Sequence, residues 1–130
     1  MIVADTNVLL YQFTSDEFGG AVAALLAQDP DWHAPLLWRS EFPNGLATMM
    51  RANVVQLKQA AAYFHEAAEF MKGREHEAAG TRLLERAAKS GCTASDWEYI
   101  ELGMRLSAPL YTADKKLIKA FPKICRTLFA

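Results

Sequence analysis

The chain has 130 residues and a formal net charge of −1, with 52% hydrophobic and 22% charged residues. This composition predicts one globular domain over residues 1–130, large enough to bury a core without disulfides or a structural metal. No apolar stretch is long enough to span a membrane, the N-terminus lacks a secretory signal and the two cysteines form no CxxC pair, so a cytoplasmic protein with free thiols is expected.

Short apolar runs in the sequence predict four strands. The first run lies at the very start of the chain and is followed by Asp-Thr-Asn, which is typical of a central buried strand. Pro35 stands near the beginning of the second run, where it suits an edge strand or the first residues of a strand. The predicted strands cover residues 1–4, 33–38, 108–112 and 124–129.

Helical patterning fills the stretches between these runs. Residues 15–16 are a candidate cap for the second helix, Ser40 for the third, which has Pro43 in its first turn, and Thr93 or Ser95 for a later one. Five predicted helices lie at residues 8–13, 40–54, 57–71, 76–89 and 115–121, with a loop at 72–75. Two more are predicted, one that follows the cap at 15–16 and ends at residue 28, and one that starts after residue 95. Strands that alternate with helices predict an α/β fold with a mostly parallel sheet and helices on both faces.

Four acidic residues each stand where an apolar run gives way to the start of a helix. In an open α/β sheet, residues just beyond the carboxyl ends of parallel strands converge on one crevice, whatever their separation in sequence. Each acid alone has an ordinary structural interpretation, as a turn residue, a helix cap or a first-turn acid. The four residues are Asp5, Glu41, Asp96 and Asp114.

Together the four acids are harder to explain by structure alone. Two unit charges about 4 Å apart repel by roughly 4 kcal/mol at an effective dielectric near 20. Several such pairs would offset much of the roughly 5–15 kcal/mol that stabilises a domain. A bound hard cation removes this repulsion, and Mg²⁺ or Mn²⁺ suits a site made of oxygen ligands. The pattern therefore predicts metal-dependent chemistry on a substrate that carries phosphate.

The basic residues are unevenly distributed along the chain. No acid follows Asp114, whereas five cations do, and two interpretations of them stay open. They form either a solvated helix face or a basic rim that holds a phosphate backbone beside the acidic crevice. The five cations are Lys115, Lys116, Lys119, Lys123 and Arg126.

The segments that contain the four acids together resemble the PIN domain, and most of all the VapC ribonuclease toxins of bacterial and archaeal toxin–antitoxin pairs. The order and spacing of the segments carry the resemblance, which runs from the first residue to the C-terminus. The segments are Val-Ala-Asp-Thr-Asn at residues 3–7, Ser-Glu-Phe at 40–42, Ser-Asp at 95–96 and Tyr-Thr-Ala-Asp-Lys-Lys-Leu at 111–117.

The resemblance implies a three-layer α/β/α sandwich and an endoribonuclease that depends on Mg²⁺ or Mn²⁺. Asp5 and Asp96 would bind the metal directly, while Glu41 and Asp114 would bind it through water or complete a second ion site. The resemblance also implies an RNA substrate, a homodimer, and a small cognate antitoxin of a type II toxin–antitoxin system that covers the crevice.

Further polar residues are candidates for supporting the acids. By the resemblance, Asn7 and Thr112 match the positions that orient the acids by hydrogen bonding. Glu98 and Glu101 follow Asp96 closely enough to support the same site, although Glu101 is expected to face solvent.

Two other functions stay open from the sequence. One is a nuclease of the same fold and chemistry that acts in RNA processing or on structured DNA, outside a toxin system. The other is a catalytically silent module that binds nucleic acid or protein. The repulsion within an idle acidic cluster counts against the silent module, and a neighbouring reading frame for a DNA-binding antitoxin would distinguish a toxin from a processing nuclease.

Overall fold

The computed structural model describes residues 1–14, 16–78 and 80–128, and for residues 16 and 17 the backbone alone. Across these residues strands and helices alternate. The strands are β1 Ile2–Ala4, β2 Trp32–Pro35, β3 Glu75–His76, β4 Leu110–Tyr111 and β5 Cys125–Arg126. The helices are α1 Thr6–Thr14, α2 Asp16–Gln28, α3 Trp38–Arg51, α4 Leu57–Met71, α5 Gly80–Lys89, α6 Ala94–Leu106 and α7 Lys115–Ala120.

The described strands form one parallel sheet with the order β3-β2-β1-β4-β5. In the central strand, Val3 is in register with His33 on one side and with Leu110 on the other. The chain runs outward to β2 and β3 in one direction and to β4 and β5 in the other. The strand order therefore reverses beside β1, and a crevice is expected at the carboxyl ends of β1 and β4. The predicted α/β fold with a mostly parallel sheet is confirmed.

Alternation along β1 directs its side chains into two separate cores. Ile2 and Ala4 are buried in a core that includes residues of α1 to α4. Val3, between them, is buried in a second core with residues of α5, α6 and α7, which also contains Leu110. Helices thus cover both faces of the sheet, as the predicted three-layer sandwich requires.

The boundary between β2 and α3 differs from the prediction. Residues 33–38 are predicted as one strand, but β2 ends at Pro35 and Trp38 begins α3. The apolar run extends beyond the strand because Trp38, the first residue of α3, is fully buried. In the sequence, such a buried helix residue cannot be told from a buried strand residue. Ser40 therefore lies within the first turn of α3 and is not its cap, and Pro43 lies inside the helix.

The strand β3 occupies a stretch predicted as the end of a loop and the start of a helix. Glu75 pairs with Ala34 and His76 with Pro35, whereas α5 begins only at Gly80. A strand of two polar residues carries no apolar alternation, so its existence depends on the backbone pairing with β2 alone. The predictions of a loop at residues 72–75 and a helix from residue 76 are wrong at this point.

The other elements lie close to their predicted positions. α4 has the predicted bounds, and Thr93 caps α6 in a capping box with Asp96. Cys92 and Cys125 are buried free thiols. The predicted cap residue 15 and the predicted strand end at residue 129 lie outside the described residues. No helix within the described ranges is long and apolar enough to cross a membrane.

Candidate functional site

Asp5 lies at the carboxyl edge of the sheet, between β1 and α1. Its backbone N–H donates to the carbonyl of Tyr111 at 3.0 Å, which extends the pairing of β1 with β4 by one residue. Its own carbonyl accepts the N–H groups of Val8 and Leu9 from the first turn of α1. The strand end and the helix start therefore both fix the backbone of Asp5 at the point where the strand order reverses.

The carboxylate of Asp5 is held by three donors from two parts of the chain. Oδ1 accepts the backbone N–H of Thr6 at 2.8 Å. Oδ2 accepts the hydroxyl of Thr112 at 2.7 Å and the amide of Asn7 at 3.4 Å. Asn7 and Thr112 also link to the loop before α7, because Asn7 Oδ1 accepts the N–H of Ala113 and Thr112 Oγ1 accepts that of Asp114.

Burial dominates the ionisation of Asp5. It raises the pKa of this carboxyl to about 6, although the hydrogen bonds from Thr112 and Thr6 lower the pKa in part. The charges of Glu41 and Asp114 raise it further, and both acids share a hydrogen-bond partner with Asp5: Thr6 donates to Asp5 and Glu41, and Thr112 donates to Asp5 and accepts the N–H of Asp114. The crevice therefore gathers Asp5, Glu41 and Asp114 into one zone of negative potential.

Glu41 lies in the first turn of α3 and is held by two hydroxyl groups. Its Oε1 accepts the phenol of Tyr99 at 2.6 Å and the hydroxyl of Thr6 at 3.0 Å. The oxygens of Thr6 and Tyr99 are themselves 2.5 Å apart. Burial and the charges of Asp5 and Glu41 raise the pKa of Tyr99 above its usual range, so the phenol stays neutral and donates.

Tyr99 and Thr6 are contacts of Glu41 that the sequence analysis did not predict. Tyr99 is 2% exposed and follows Asp96 by three positions, which is about one helical turn. A helical projection of α6 would have placed Tyr99 on a face close to that of Asp96. Thr6 directly follows Asp5, but its hydroxyl supports Glu41 rather than Asp5.

Asp114 is the N-cap of α7. Its Oδ1 accepts the backbone N–H groups of Lys116 at 2.9 Å and of Leu117 at 3.4 Å. The cap fixes the carboxylate at the start of the helix, where the macrodipole also favours negative charge. Asp114 thus combines a structural role with a position from which its charge reaches Asp5.

The hydrogen bonds of Asp96 are made within its own helix cap and not with this group. Its Oδ2 accepts the backbone N–H of Thr93 at 3.2 Å, while its own N–H donates to the hydroxyl of Thr93. No hydrogen bond within the described residues joins it to the other three acids. Glu98, two residues later, is the acid of α6 that interacts with Glu41, since burial and then the charge of Glu41 raise the pKa of Glu98.

Glu101 does not face solvent, contrary to the prediction. It is 4% exposed and lies under two arginines of α5, with Arg82 Nη1 at 3.4 Å and Arg86 Nε at 3.6 Å from its carboxylate oxygens. The prediction is wrong because it considered α6 alone, whereas α5 packs directly on this face of α6. A buried carboxylate needs such partners to offset its loss of hydration.

The cations after Asp114 spread over two elements. Lys116 Nζ donates to the carbonyl of Gly91 at 3.4 Å, which directs this side chain towards the loop before α6. Arg126 folds back on the carbonyls of Lys123 and Cys125. The basic rim therefore remains a prediction, with Lys116 its member that points to the α6 end of the crevice.

The donor set suits a hard divalent ion, with limits on how it would be held. Asp5, Glu41 and Asp114 offer oxygen ligands only, and a cation would offset the desolvation that raises the pKa of Asp5. Among the described residues no group of three or more His, Cys, Asp or Glu side chains is placed to hold an ion. Mg²⁺ keeps several waters and needs only one or two carboxylates together with substrate phosphates, so the residues fit that kind of binding.

Replacing Thr112 by valine is expected to move the acid limb of the pH–activity profile to higher pH by roughly 0.5–1, because a hydrogen bond to the charged form of Asp5 is lost. The measurement is the rate, as a function of pH, of the nuclease activity proposed below. Thr112→Ser keeps the hydroxyl and should keep the midpoint of the wild-type profile. If the acid limb of Thr112→Val had the same midpoint as that of wild type, ionisation of Asp5 would not control the acid limb.

Comparison with known proteins identifies one informative likeness. No family model and no curated protein matches the sequence. A solved structure described as FitAB bound to an IR36 DNA fragment matches 100% of this chain and 96% of its own chain, with a TM-score of 0.74 at 15% sequence identity. At this identity the match shows the fold, and the chain has a PIN-like α/β fold.

Proposed function

We propose that this chain is an endoribonuclease that depends on Mg²⁺ or Mn²⁺ and is the toxin of a type II toxin–antitoxin pair. The observation that carries the proposal is the acidic crevice, defined by Asp5, Glu41 and Asp114, at the reversal of strand order. The partly buried Asp5 has a pKa of about 6, and two further acids add negative charge beside it. An arrangement of this kind is unfavourable without a cation and suits chemistry at phosphate.

The four acids have distinct roles in this proposal. Asp5 and Asp96 would hold the ion, and Glu41 and Asp114 would complete the site through water. When bound, the ion supplies a Lewis acid that activates water for attack on phosphorus and neutralises charge on the leaving oxygen. Oδ2 of Asp96 accepts the backbone N–H of Thr93 in the capping box, so Oδ1 would be the oxygen that it offers to the ion.

The chain's own residues orient the crevice. Tyr99 and Thr6 both donate to Oε1 of Glu41, so Oε2 would be the oxygen available to a water or an ion. Thr112 and Asn7 fix one oxygen of Asp5 in the same way. Carboxylates held in fixed orientations can accept a proton from the attacking water without first reorganising.

The structural likeness supports the wider setting of the proposal. FitAB is described in complex with DNA, which places a chain of this fold in an assembly that binds nucleic acid. By analogy, we propose that an antitoxin covers the crevice of this chain and that the chain forms a homodimer. Light scattering of the purified chain, alone and with the product of a neighbouring reading frame, tests both statements.

The function is tested by incubating the purified chain with labelled RNA and DNA of the same sequence, with Mg²⁺, Mn²⁺ or a chelator. We expect RNA to be cut only with a divalent ion, with loss on chelation and recovery when the ion is restored. If only DNA were cut, the substrate would be DNA and not the proposed RNA. Cutting that persists with the chelator, or no cutting of any substrate, would falsify the proposal.

A further inference from the structure

A cleft lies between α5 and the first turn of α6, outside the acidic crevice. Its volume is about 520 Å³. We propose that this cleft, here the α5 cleft, binds a backbone phosphate of the RNA strand next to the cleaved bond. The inference rests on the proposed function and adds a substrate contact to it. The lining residues are Arg82, Glu85, Arg86, Lys89, Ser90 and Trp97.

Arg86 is held in a fixed orientation at the cleft. Its guanidinium lies over the ring of Trp97, 5.2 Å from the centroid, and its Nε is 3.6 Å from Oε2 of Glu101. Trp97 is fixed in turn, because its indole N–H donates to Ser90 Oγ at 2.8 Å and its ring packs edge-on against Phe121. A guanidinium ordered in this way loses little conformational entropy when it binds an anion.

The charge of the cleft favours an anion. Three cations, Arg82, Arg86 and Lys89, stand against two acids, Glu85 and Glu101. Glu101 is buried beneath the arginines: its Oε1 accepts Nη1–H of Arg82, and its Oε2 lies near Nε of Arg86, whose Nη1–H donates to the sulfur of Met104. Lys89 and Glu85 pair in the open, where solvent screens the contact.

Arg82 is the more exposed of the two arginines. It is 66% exposed and has one contact with Glu101, at 3.4 Å. An arginine fork matches the oxygens of a phosphate, so Arg82 and Arg86 can share one such group at the cleft mouth. Lys116 of α7 donates to the carbonyl of Gly91 in the loop between α5 and α6, and so adds a positive charge near the cleft.

The position of the cleft relative to the crevice suits one RNA strand. Trp97 and Tyr99 stand on opposite sides of α6, since two residues turn a helix by more than half a circle. Tyr99 binds Glu41 on one side, and Trp97 lines the cleft on the other. The two sites are therefore separated by about one helix diameter, roughly 10–12 Å. A few nucleotides of a bound single strand cover that distance.

The contact is expected to be independent of base identity. Trp97 is 9% exposed, with Arg86 over its ring and Phe121 against its edge, so it offers no free platform for a base. Phosphate contacts position a nucleic acid and carry no sequence information. The cleft therefore adds affinity and register and does not select a sequence.

The test measures binding of fluorescein-labelled single-stranded RNA by anisotropy, over a range of salt concentrations, with Asp5→Asn as the parent to prevent cleavage. We expect Arg82→Gln combined with Lys89→Gln to raise Kd by roughly 3–10-fold and to reduce the salt slope by about 0.7. Both side chains are exposed, so the fold should be kept. Lys58→Gln, at an exposed lysine of α4, is the matched control and should leave Kd unchanged.

The outcomes separate this inference from the proposed function. If the wild-type chain cuts no RNA with Mg²⁺ or Mn²⁺, the proposed function fails. If the parent binds RNA and the double variant has the same Kd and salt slope, the α5 cleft is excluded as a phosphate site while the function stands. If the double variant lost binding to an acidic protein while its RNA binding was unchanged, the α5 cleft would be a protein-binding site, and the inference would likewise be overturned.

Discussion

Asp5→Asn is expected to lower RNA cleavage by on the order of 10²–10⁴-fold, the largest loss of activity for any single change in this chain. The carboxylate lies at the centre of the acidic crevice and would be a direct ligand of the ion, a role that an amide fills poorly. Initial rates with Mn²⁺ measure the loss. Activity within a few-fold of wild type would place the chemistry elsewhere.

The same change is expected to stabilise the protein at high pH. Burial raises the pKa of Asp5 from 3.8 to about 6, so the folded state binds the proton more tightly than the unfolded state does. The free energy of unfolding is therefore unaffected by Asp5 below about pH 4, where the carboxyl is protonated in both states. It falls as the pH rises through 6, by roughly 3 kcal/mol in total. An amide carries no charge and avoids the loss.

The net gain is smaller than this, because asparagine cannot accept from both Thr6 and Thr112 as the carboxylate does. We expect Asp5→Asn to raise the Tm by about 3–8 °C at pH 8 with chelator present, and to give no gain at pH 4. Glu66→Gln, an exposed acid of α4, is the control and should leave the Tm unchanged at both pH values. A gain that is equal at pH 4 and pH 8 would contradict the linkage to Asp5.

Phe42→Ala is expected to have the largest effect on stability, about 3–5 kcal/mol. Phe42 is fully buried and contacts three other rings, with centroid distances of 5.6 Å to Trp38, 6.1 Å to Phe13 and 6.1 Å to Phe64. These contacts join α1, α3 and α4. Since Glu41 immediately precedes Phe42, the same packing fixes the first turn of α3 that carries the acid.

Thermal unfolding measures this prediction as a decrease in Tm of roughly 10–20 °C. Phe42→Leu keeps most of the volume and should lose about 1–2 kcal/mol. Leu84→Ala, at an apolar residue that is 70% exposed, should change the stability by no more than about 0.5 kcal/mol. A loss for Phe42→Ala as small as that for Leu84→Ala would mean that the aromatic cluster does not hold α3.

Much of the fold was accessible from sequence because helices and buried strands repeat their pattern locally. The bounds of α4 follow from an uninterrupted run of strong helix formers, and the Asp114 cap follows from an acid directly before α7. The parallel sheet follows from the alternation of strands and helices. Likewise, the approach of Asp5, Glu41 and Asp114 follows from one rule about strand ends.

Features that depend on contacts across the chain were not accessible in this way. The two-residue strand β3 exists only through its pairing with β2. Tyr99 meets Glu41 across 58 positions, and Glu101 is buried only because α5 packs over it. A single helix pattern does not show which partner covers each face, so these residues were missed or placed in solvent.

The hydrogen bond between Asp5 and Thr112 spans 107 positions of the chain. A polypeptide still being made on a ribosome has no complete arrangement of these groups until β4 and the residues after it have emerged. Contacts of such high sequence separation are also slow to form, since closing the long intervening loop costs conformational entropy. A product truncated before residue 112 lacks both Thr112 and Asp114 and therefore cannot assemble the crevice.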